Sequence, residues 1–430
     1  MKRVAFRTFG CRLNQAETAA MSARLAAAGF TVVPFGDACD ACVIHTCTVT
    51  SRADADTRRA VRAARRRWPN AFIVLTGCAA EIHGVGLADQ TGADLALPRE
   101  DLDRLPQSLG SHIGSPSIRE IPSAALTPRF TATRALLRVQ DGCSFGCAYC
   151  IVPAARGPAR SRPRAEILDE AARLVEAGHR ELVLTGANLG TWREGRLGLV
   201  ELAAELASVK GLSRLRIGSV EPTTVERPLL DLMASTPRIC PHLHLPIQSG
   251  DDGVLAAMGR RYSAPYIAAV LDEAFGRMPL LGLGTDLIAG FPGETEAAFH
   301  STVRLVKRFP FSNLHVFPFS ERPGTCAPSL PGRVPDAVRR RRADELIAEG
   351  QAVRAAFASC FVGRRVSVLV EEIHPDGSAT GWTGEYVEAV LPAGATPNTL
   401  VEGHVTAAEG DRLTVEAASP AGVMPARSRG

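Results

Sequence analysis

Cys143, Cys147 and Cys150 are separated by three and two intervening residues, directly after the apolar run Ala135–Gln140. No other feature constrains the chain as much, because three thiols on one loop need a rigid strand beneath them. That strand is the first of six: Ala135–Gln140, Glu181–Thr185, Arg214–Gly218, His242–Pro246, Gly282–Ala289 and Asn313–Pro318 alternate with helical segments such as Ala165–Ala177, which stops at Gly178. Six βα repeats predict a closed or partly closed parallel barrel, and barrel active sites lie at strand carboxyl ends, where this cysteine loop falls. Eleven cysteines in 430 residues are an odd number, spread too thinly for a secreted disulfide scaffold. Met1–Arg7 has no apolar core of signal-peptide length, and no run approaches ~18 uncharged apolar residues, so neither secretion nor a membrane span is expected. Clustered reduced thiols point instead to metal or catalysis.

The overall class is α/β. Residues 1–115 form one predicted unit, in which strands Val4–Phe9, Cys42–His45 and Ala71–Thr76 alternate with helices Leu13–Ala28 and Ala53–Trp68, a parallel layer. The Pro/Ser-rich stretch Ser111–Pro128 reads as a linker. Residues 129–359 hold the barrel and an Arg-rich exit helix, Pro335–Ser359. Residues 360–430 change character: Val366–Glu371, Glu385–Val390, Thr399–Val405 and Arg412–Val415 alternate as short strands between glycine turns, a small all-β barrel.

Thiolates spaced like Cys143, Cys147 and Cys150 can wrap a cube of iron and sulfide and leave one iron without a protein donor. An open metal position binds and activates a small molecule, as open zinc sites do. Zinc or inert buried thiols are the competing readings, but zinc wants a fourth ligand and no His or Cys follows nearby. Cys11, Cys47 and Cys78 each follow a strand of the first layer, and strand carboxyl ends converge on one crevice in such sheets. They either meet as a second metal-binding trio or are scattered core thiols. Cys39, Cys42, Cys240, Cys326 and Cys360 read as structural.

The loop around Cys143–Cys150, with Tyr149 before its last cysteine, resembles the radical S-adenosylmethionine superfamily. Phe9-Gly10-Cys11-Arg12-Leu13-Asn14-Gln15, Thr46-Cys47-Thr48-Val49-Thr50 and Thr76-Gly77-Cys78-Ala79-Ala80-Glu81 resemble the three cysteine motifs of its methylthiotransferase family. The resemblance spans nearly the whole chain and implies a partial (βα)6 barrel between an N-terminal cluster domain and a C-terminal TRAM β-barrel. It also implies two [4Fe-4S] clusters and S-adenosyl-L-methionine. The cluster on Cys143, Cys147 and Cys150 would generate a 5′-deoxyadenosyl radical, and that on Cys11, Cys47 and Cys78 would carry the transferred sulfur. Two open irons suit an insertion at an unreactive C–H bond, which acid–base catalysis does not readily open.

Strands of the barrel end in polar or glycine-rich words containing Gly186, Asn188, Ser219, Glu221, Gln248 and Gly290. By the same resemblance these contact S-adenosylmethionine; turn punctuation is the equal alternative. Residues 52–67 carry seven arginines against two aspartates, and residues 129–164 carry seven against Asp141 alone. Both runs adjoin cluster cysteines and suit RNA, with Arg58, Arg62 and Arg156 as candidate contacts. A solvated helix face explains them as well. Residues 360–430 hold five arginines against nine acids, so the tail barrel is no electrostatic phosphate anchor, although the net charge of the chain is +4. Trp382 and Tyr386 either stack on bases or belong to that barrel's core.

Within the family, Gly10-Cys11-Arg12-Leu13-Asn14-Gln15 and Cys47-Thr48-Val49-Thr50-Ser51-Arg52-Ala53-Asp54 are most similar to the branch acting on threonylcarbamoyladenosine in tRNA. His45, Trp382 and Glu385 depart from family habit. The expectation is a cytoplasmic, monomeric tRNA methylthiotransferase acting at C2 of adenosine 37 in the anticodon stem-loop, fed by a flavodoxin or ferredoxin. Isopentenyladenosine or a ribosomal-protein aspartate are the alternative substrates. A non-catalytic iron–sulfur or zinc RNA-binding protein is the alternative class.

Overall fold

A computed structural model describes residues 1–114, 126–128, 130 and 133–417. The first layer is a five-stranded parallel sheet of β1 (Arg3–Thr8), β2 (Thr31–Val33), β3 (Ala41–Thr46), β4 (Phe72–Gly77) and β5 (Leu95–Leu97), in the order β2-β1-β3-β4-β5. Its central strand β3 is buried end to end, as a near-continuous apolar run between helices should be. Three helices start where its strands end: α1 (Arg12–Ala27) after β1, α2 (Ser51–Arg67) after β3 and α3 (Cys78–His83) after β4. The expected linker begins late, because helix Leu105–Ile113 runs through Ser111; most of the remainder lies outside the described residues.

Six parallel strands then form the barrel. One half is β6 (Arg134–Arg138), β9 (Glu181–Thr185) and β10 (Arg214–Arg216); the other is β11 (His242–His244), β12 (Gly282–Ala289) and β13 (Phe311–Pro318). The intervening β7 (Gln140–Asp141) and β8 (Arg160–Ser161) make a separate two-stranded ribbon. Parallel bridges Leu215↔Ile239 and Ser219↔His244 join the halves, so the barrel is open between β6 and β13. Alternation sorts the two faces. Ala135, Leu137, Leu182, Leu184, Leu283 and Leu287 enter the large core beneath the surrounding helices. Leu136 and Val183 point the other way, into the lumen, and pack on Ala16 of α1. The first helix of the N-terminal layer therefore lies along the inner wall of the barrel.

The C-terminal unit is a closed barrel of β14 (Arg365–Ile373), β15 (Ala379–Thr383), β16 (Glu388–Leu391), β17 (Leu400–Glu409) and β18 (Arg412–Ala417), in the order β14-β15-β16-β18-β17. Its loop Gly384–Tyr386 meets the amino-terminal end of the barrel, where a Cβ on Gly282 would collide with the Glu385 backbone. No described helix is long and apolar enough to cross a membrane.

Candidate active site

The two cysteine sets are assembled differently. Cys143, Cys147 and Cys150 follow β7 on one loop. Its backbone is pinned by Cys143 N–H to Gly157 O at 3.0 Å, Cys150 N–H to Cys147 O at 3.1 Å and Ala148 N–H to Met258 O at 2.9 Å. The Phe145 amide donates to Cys143 Sγ at 3.4 Å and Arg260 Nη1 to Cys147 Sγ at 3.3 Å. Burial pushes Cys150 up to about 12, and the neighbouring thiols add to the shift.

Cys11, Cys47 and Cys78 come from three strand ends and are brought together. Cys11 is the N-cap residue of α1, Cys47 follows β3 and Cys78 opens α3. Positive-φ glycines make the approach possible. A Cβ on Gly10 (φ +95°) would stand 2.8 Å from Cys47 Cβ, and one on Gly77 (φ +96°) would stand 2.4 Å from the His45 ring and 2.5 Å from Thr46 O. Thr46 Oγ1 ties the second and third loops, donating to Thr76 O at 2.6 Å and accepting from Ala79 N–H at 3.2 Å. Asn14 ties the first and second, its Nδ2 donating to Phe9 O at 2.8 Å and Thr46 O at 3.0 Å. Burial raises Cys47 to about 11 and raises Cys78; Cys11 and Cys78 add to the shift of Cys47, and Cys11 adds to that of Cys78.

Among the described residues, one group of His, Cys, Asp and Glu side chains has ligand atoms all within 4.8 Å of each other: His244, Asp286 and His315. Neither cysteine trio is drawn that tight. A single zinc ion ~2.3 Å from each thiolate holds its sulfurs roughly 3.8 Å apart. Six thiols in two wider trios fit the corners of iron–sulfur cubes better than lone ions. Metal loading must displace the protons that burial favours on Cys47, Cys78, Cys143 and Cys150.

The trios are neighbours. Helix Val152–Arg156, which starts two residues after Cys150, packs on α3. Arg156, expected from the sequence to contact RNA, is instead buried among carboxylates. It is 4% exposed, donating to Asn14 Oδ1 at 2.6 Å, Glu17 Oε2 at 3.0 Å and Asp141 Oδ1 at 2.9 Å. Arg99 joins the same carboxylates, and burial of Glu17 is outweighed by His45, Arg156 and Arg99, which hold its carboxyl well below the usual range. A second clasp is Arg322, donating to Thr48 Oγ1 and Asp54 Oδ2 at 2.7 Å each. Asn14, Glu17, Arg99 and Arg322 were not singled out from the sequence. For Asn14 the signal was present, three residues after Cys11.

Asn188 lies beside Cys143, and its buried Oδ1 has no partner among the described residues. Gly186 packs on Gln140, whose Oε1 accepts from the Asn188 amide at 2.8 Å. Glu221 is buried and paired with Arg260; burial raises its carboxyl although Arg260 opposes. Ser219 is exposed. Gln248 takes φ +72°, its backbone bridging Asp286 O and Ile288 N–H. Gly290 turns toward the exit helix: its amide donates to Glu294 Oε2 at 2.7 Å, and Arg339 fills the space a Cβ would take. An unsatisfied carboxamide oxygen beside the thiols fits a polar cofactor there. Deeper in the lumen, Asp286 Oδ1 holds His244 Nε2 and His315 Nδ1 at 3.1 Å each.

Trp382 and Tyr386 are likewise corrected as open base-stacking rings. They stack on each other at 4.6 Å, and Tyr386 is covered by Arg216, Arg134, Arg12 and His242. Arg58 and Arg62 are exposed on α2. Arg129 lies outside the described residues. Of the remaining cysteines, Cys42 and Cys240 are buried, but Cys326 and Cys360 are exposed rather than structural core.

Comparison with known proteins agrees with this geometry. Residues 137–306 match the model of the radical SAM superfamily, and residues 3–97 match "Uncharacterized protein family UPF0004". In fold, the chain resembles the radical S-adenosylmethionine methyltransferase TsrM from Kitasatospora setae, with a TM-score of 0.55, 13% identity and coverage of 74% of this chain and 73% of that one. A threonylcarbamoyladenosine tRNA methylthiotransferase of Bacillus subtilis is 34% identical, covering 91% of this chain and 90% of its own. One of Thermotoga maritima is also 34% identical, covering 90% and 91%. A tRNA-2-methylthio-N6-dimethylallyladenosine synthase of Cereibacter sphaeroides is 35% identical, covering 86% and 88%. The chain belongs to the radical S-adenosylmethionine tRNA methylthiotransferase family, whose cofactors are [4Fe-4S] clusters and S-adenosylmethionine.

Proposed function

We propose that the protein adds a methylthio group at C2 of N6-threonylcarbamoyladenosine 37, beside the anticodon of tRNA. The observation that carries the choice of substrate is the polar character of the lumen, where Arg12 bonds Tyr386 and Asp286 holds His244 and His315. A threonylcarbamoyl group is polar and anionic and suits such a wall; an isopentenyl group is apolar and offers these groups no polar partner. Cys143, Cys147 and Cys150 hold one cluster, and Cys11, Cys47 and Cys78 hold the other. When bound, the first cluster and S-adenosylmethionine supply a 5′-deoxyadenosyl radical able to take the C2 hydrogen.

The chain's own residues orient the reactants. Asn188 offers its free oxygen to the cofactor next to Cys143. Arg260 bridges Cys147, Tyr149 and Glu221, fixing the cluster loop against the barrel mouth. Arg156 and Arg322 hold the second trio in register with the first. Arg58, Arg62 and Arg66, spaced four apart on the exposed face of α2, offer tRNA phosphates a stripe without acidic partners among the described residues. A cytoplasmic monomer reduced by a flavodoxin or ferredoxin completes the reading.

Mass spectrometry of tRNA nucleosides from a deletion strain, with and without the restored gene, tests it. Loss of methylthio-threonylcarbamoyladenosine with recovery on complementation is expected. Loss of the methylthio-isopentenyl nucleoside instead assigns the other tRNA branch.

A further inference from the structure

The floor of the lumen carries more positive charge than its carboxylates neutralise. Four guanidiniums, Arg12, Arg134, Arg214 and Arg216, gather around Tyr386 and the strand that precedes it, β15. Three of them have acids. Arg134 pairs with Glu371 at 2.7 Å, Arg216 with Glu181 at 2.7 Å, and Arg214 with Glu181 at 3.6 Å. Arg12 has no acidic partner among the described residues; it donates from Nη2 to Tyr386 Oη at 2.9 Å and lies over the same ring. Arg12 is half-buried, so its charge is only partly solvated, and a partly desolvated cation without an anion is costly unless a ligand brings one. The positive excess also registers on Tyr386: burial alone would raise its phenol, yet Arg12, Arg134 and Arg216 bring it below its ordinary value.

Position turns this excess into a site. Arg12 is the first residue of α1, one residue from Cys11, and α1 lies along the lumen wall. The backbone N–H groups of a 16-residue helix start at the same point, adding favourable potential for an anion. The Tyr386 hydroxyl holds one end of the guanidinium, and Trp382 stacks on the Tyr386 ring, so the group that anchors Arg12 is itself fixed.

We infer that Arg12, held by Tyr386, is a carboxylate seat inside the barrel that takes the threonyl carboxylate of the substrate nucleoside. The inference rests on the threonylcarbamoyladenosine reading above and names the group that reading leaves unmatched. C2 is then presented to the cysteine trios because the far end of the purine substituent is anchored beside Cys11. The seat also provides selectivity: an isopentenyl substituent brings no charge to Arg12 and leaves it unpaired.

The test uses the full-length, anaerobically reconstituted enzyme and two anticodon stem-loop RNAs. One carries threonylcarbamoyladenosine; the other carries the same nucleoside after dehydrative ring closure, which removes the carboxylate. Wild-type enzyme should prefer the open form by ten- to hundredfold in kcat/KM, the range of one charge-assisted hydrogen-bonded contact. Arg12→Gln should lose that preference, chiefly by raising KM for the open form, and Arg12→Lys should restore a substantial part of it. Tyr386→Phe, which keeps the ring but not the hydroxyl, should weaken the open form a few-fold and spare the closed one. Iron content and melting temperature accompany each variant; if Arg12→Gln loses iron, the Lys and Phe variants carry the decision. Equal losses on both RNAs would overturn the seat, as would a wild-type enzyme indifferent to ring closure. A wild-type enzyme that ignores both RNAs but converts isopentenyladenosine RNA would instead overturn the substrate reading, and the seat with it.

Discussion

The two cysteine trios hold the same number of thiols by opposite means. The Cys143–Cys150 set is local: eight consecutive residues on one loop, supported by a strand and by Arg260. The Cys11, Cys47 and Cys78 set is global: three strand ends, two positive-φ glycines and two arginine clasps from the barrel must all be in place. A local trio survives moderate damage to the fold, whereas a global one reports on it. Radical generation and sulfur storage should therefore fail separately.

Single cysteine substitutions give the largest separation. Cys147→Ala should lower iron from about eight to about four per chain and remove S-adenosylmethionine cleavage, a loss of at least roughly a thousandfold. Cys47→Ala should lose the same iron but keep cleavage within a few-fold. Iron assay and 5′-deoxyadenosine yield read both. Equal losses of cleavage would show that the trios are not independent.

Next is Arg156→Met, which leaves Glu17 and Asp141 to share Arg99 and should cost up to about 3–5 kcal/mol by thermal melting. Its iron loss should fall on the Cys11, Cys47 and Cys78 set. Gly77→Ala should cost about 2–4 kcal/mol, since the new methyl meets backbone and a buried imidazole at a positive φ. Gly146→Ala, inside the local loop with nothing within 4 Å of the added atom, should be tolerated. That pair of alanines is the sharpest test of local against global assembly.

Glu17 adds a pH signature. Its folded value lies below the unfolded one near 4.3, so its stabilisation is present above that and disappears as pH falls through the depressed value. Melting temperature should hold from pH 7 to 5 and decline below about 4, and Glu17→Gln should flatten the decline. The smallest effect lies outside both trios. Changing Arg58, Arg62 and Arg66 to Gln should weaken tRNA binding about tenfold and reduce the salt slope by about two to three, without touching iron.

Apolar runs made the barrel legible. Glu181–Thr185 and Gly282–Ala289 run between the predicted residues, because aliphatic runs between turn residues leave few alternatives. Short strands such as Thr31–Val33, Leu95–Leu97 and Ala379–Thr383 carry too little pattern to stand out. The cysteine trios were legible because each follows a strand end. Arg156 was misread because a run of arginines shows charge but not which members meet acids. Its partners Glu17 and Asp141 stand far from one another in sequence and meet only when α1 enters the lumen. Trp382 and Tyr386 were open between core and surface for the same reason, their neighbours coming from three different units.

The hydrogen bond between Arg12 and Tyr386 joins residues 374 positions apart. At about 5–20 residues per second, a ribosome spends roughly 20 to 75 seconds between making one partner and the other. Throughout that interval the first cysteine waits on a helix whose floor does not yet exist. Maturation of the enzyme thus has a built-in order: the floor beneath Cys11 can close only after translation has reached the last barrel, and truncated chains carry cysteines without a finished chamber.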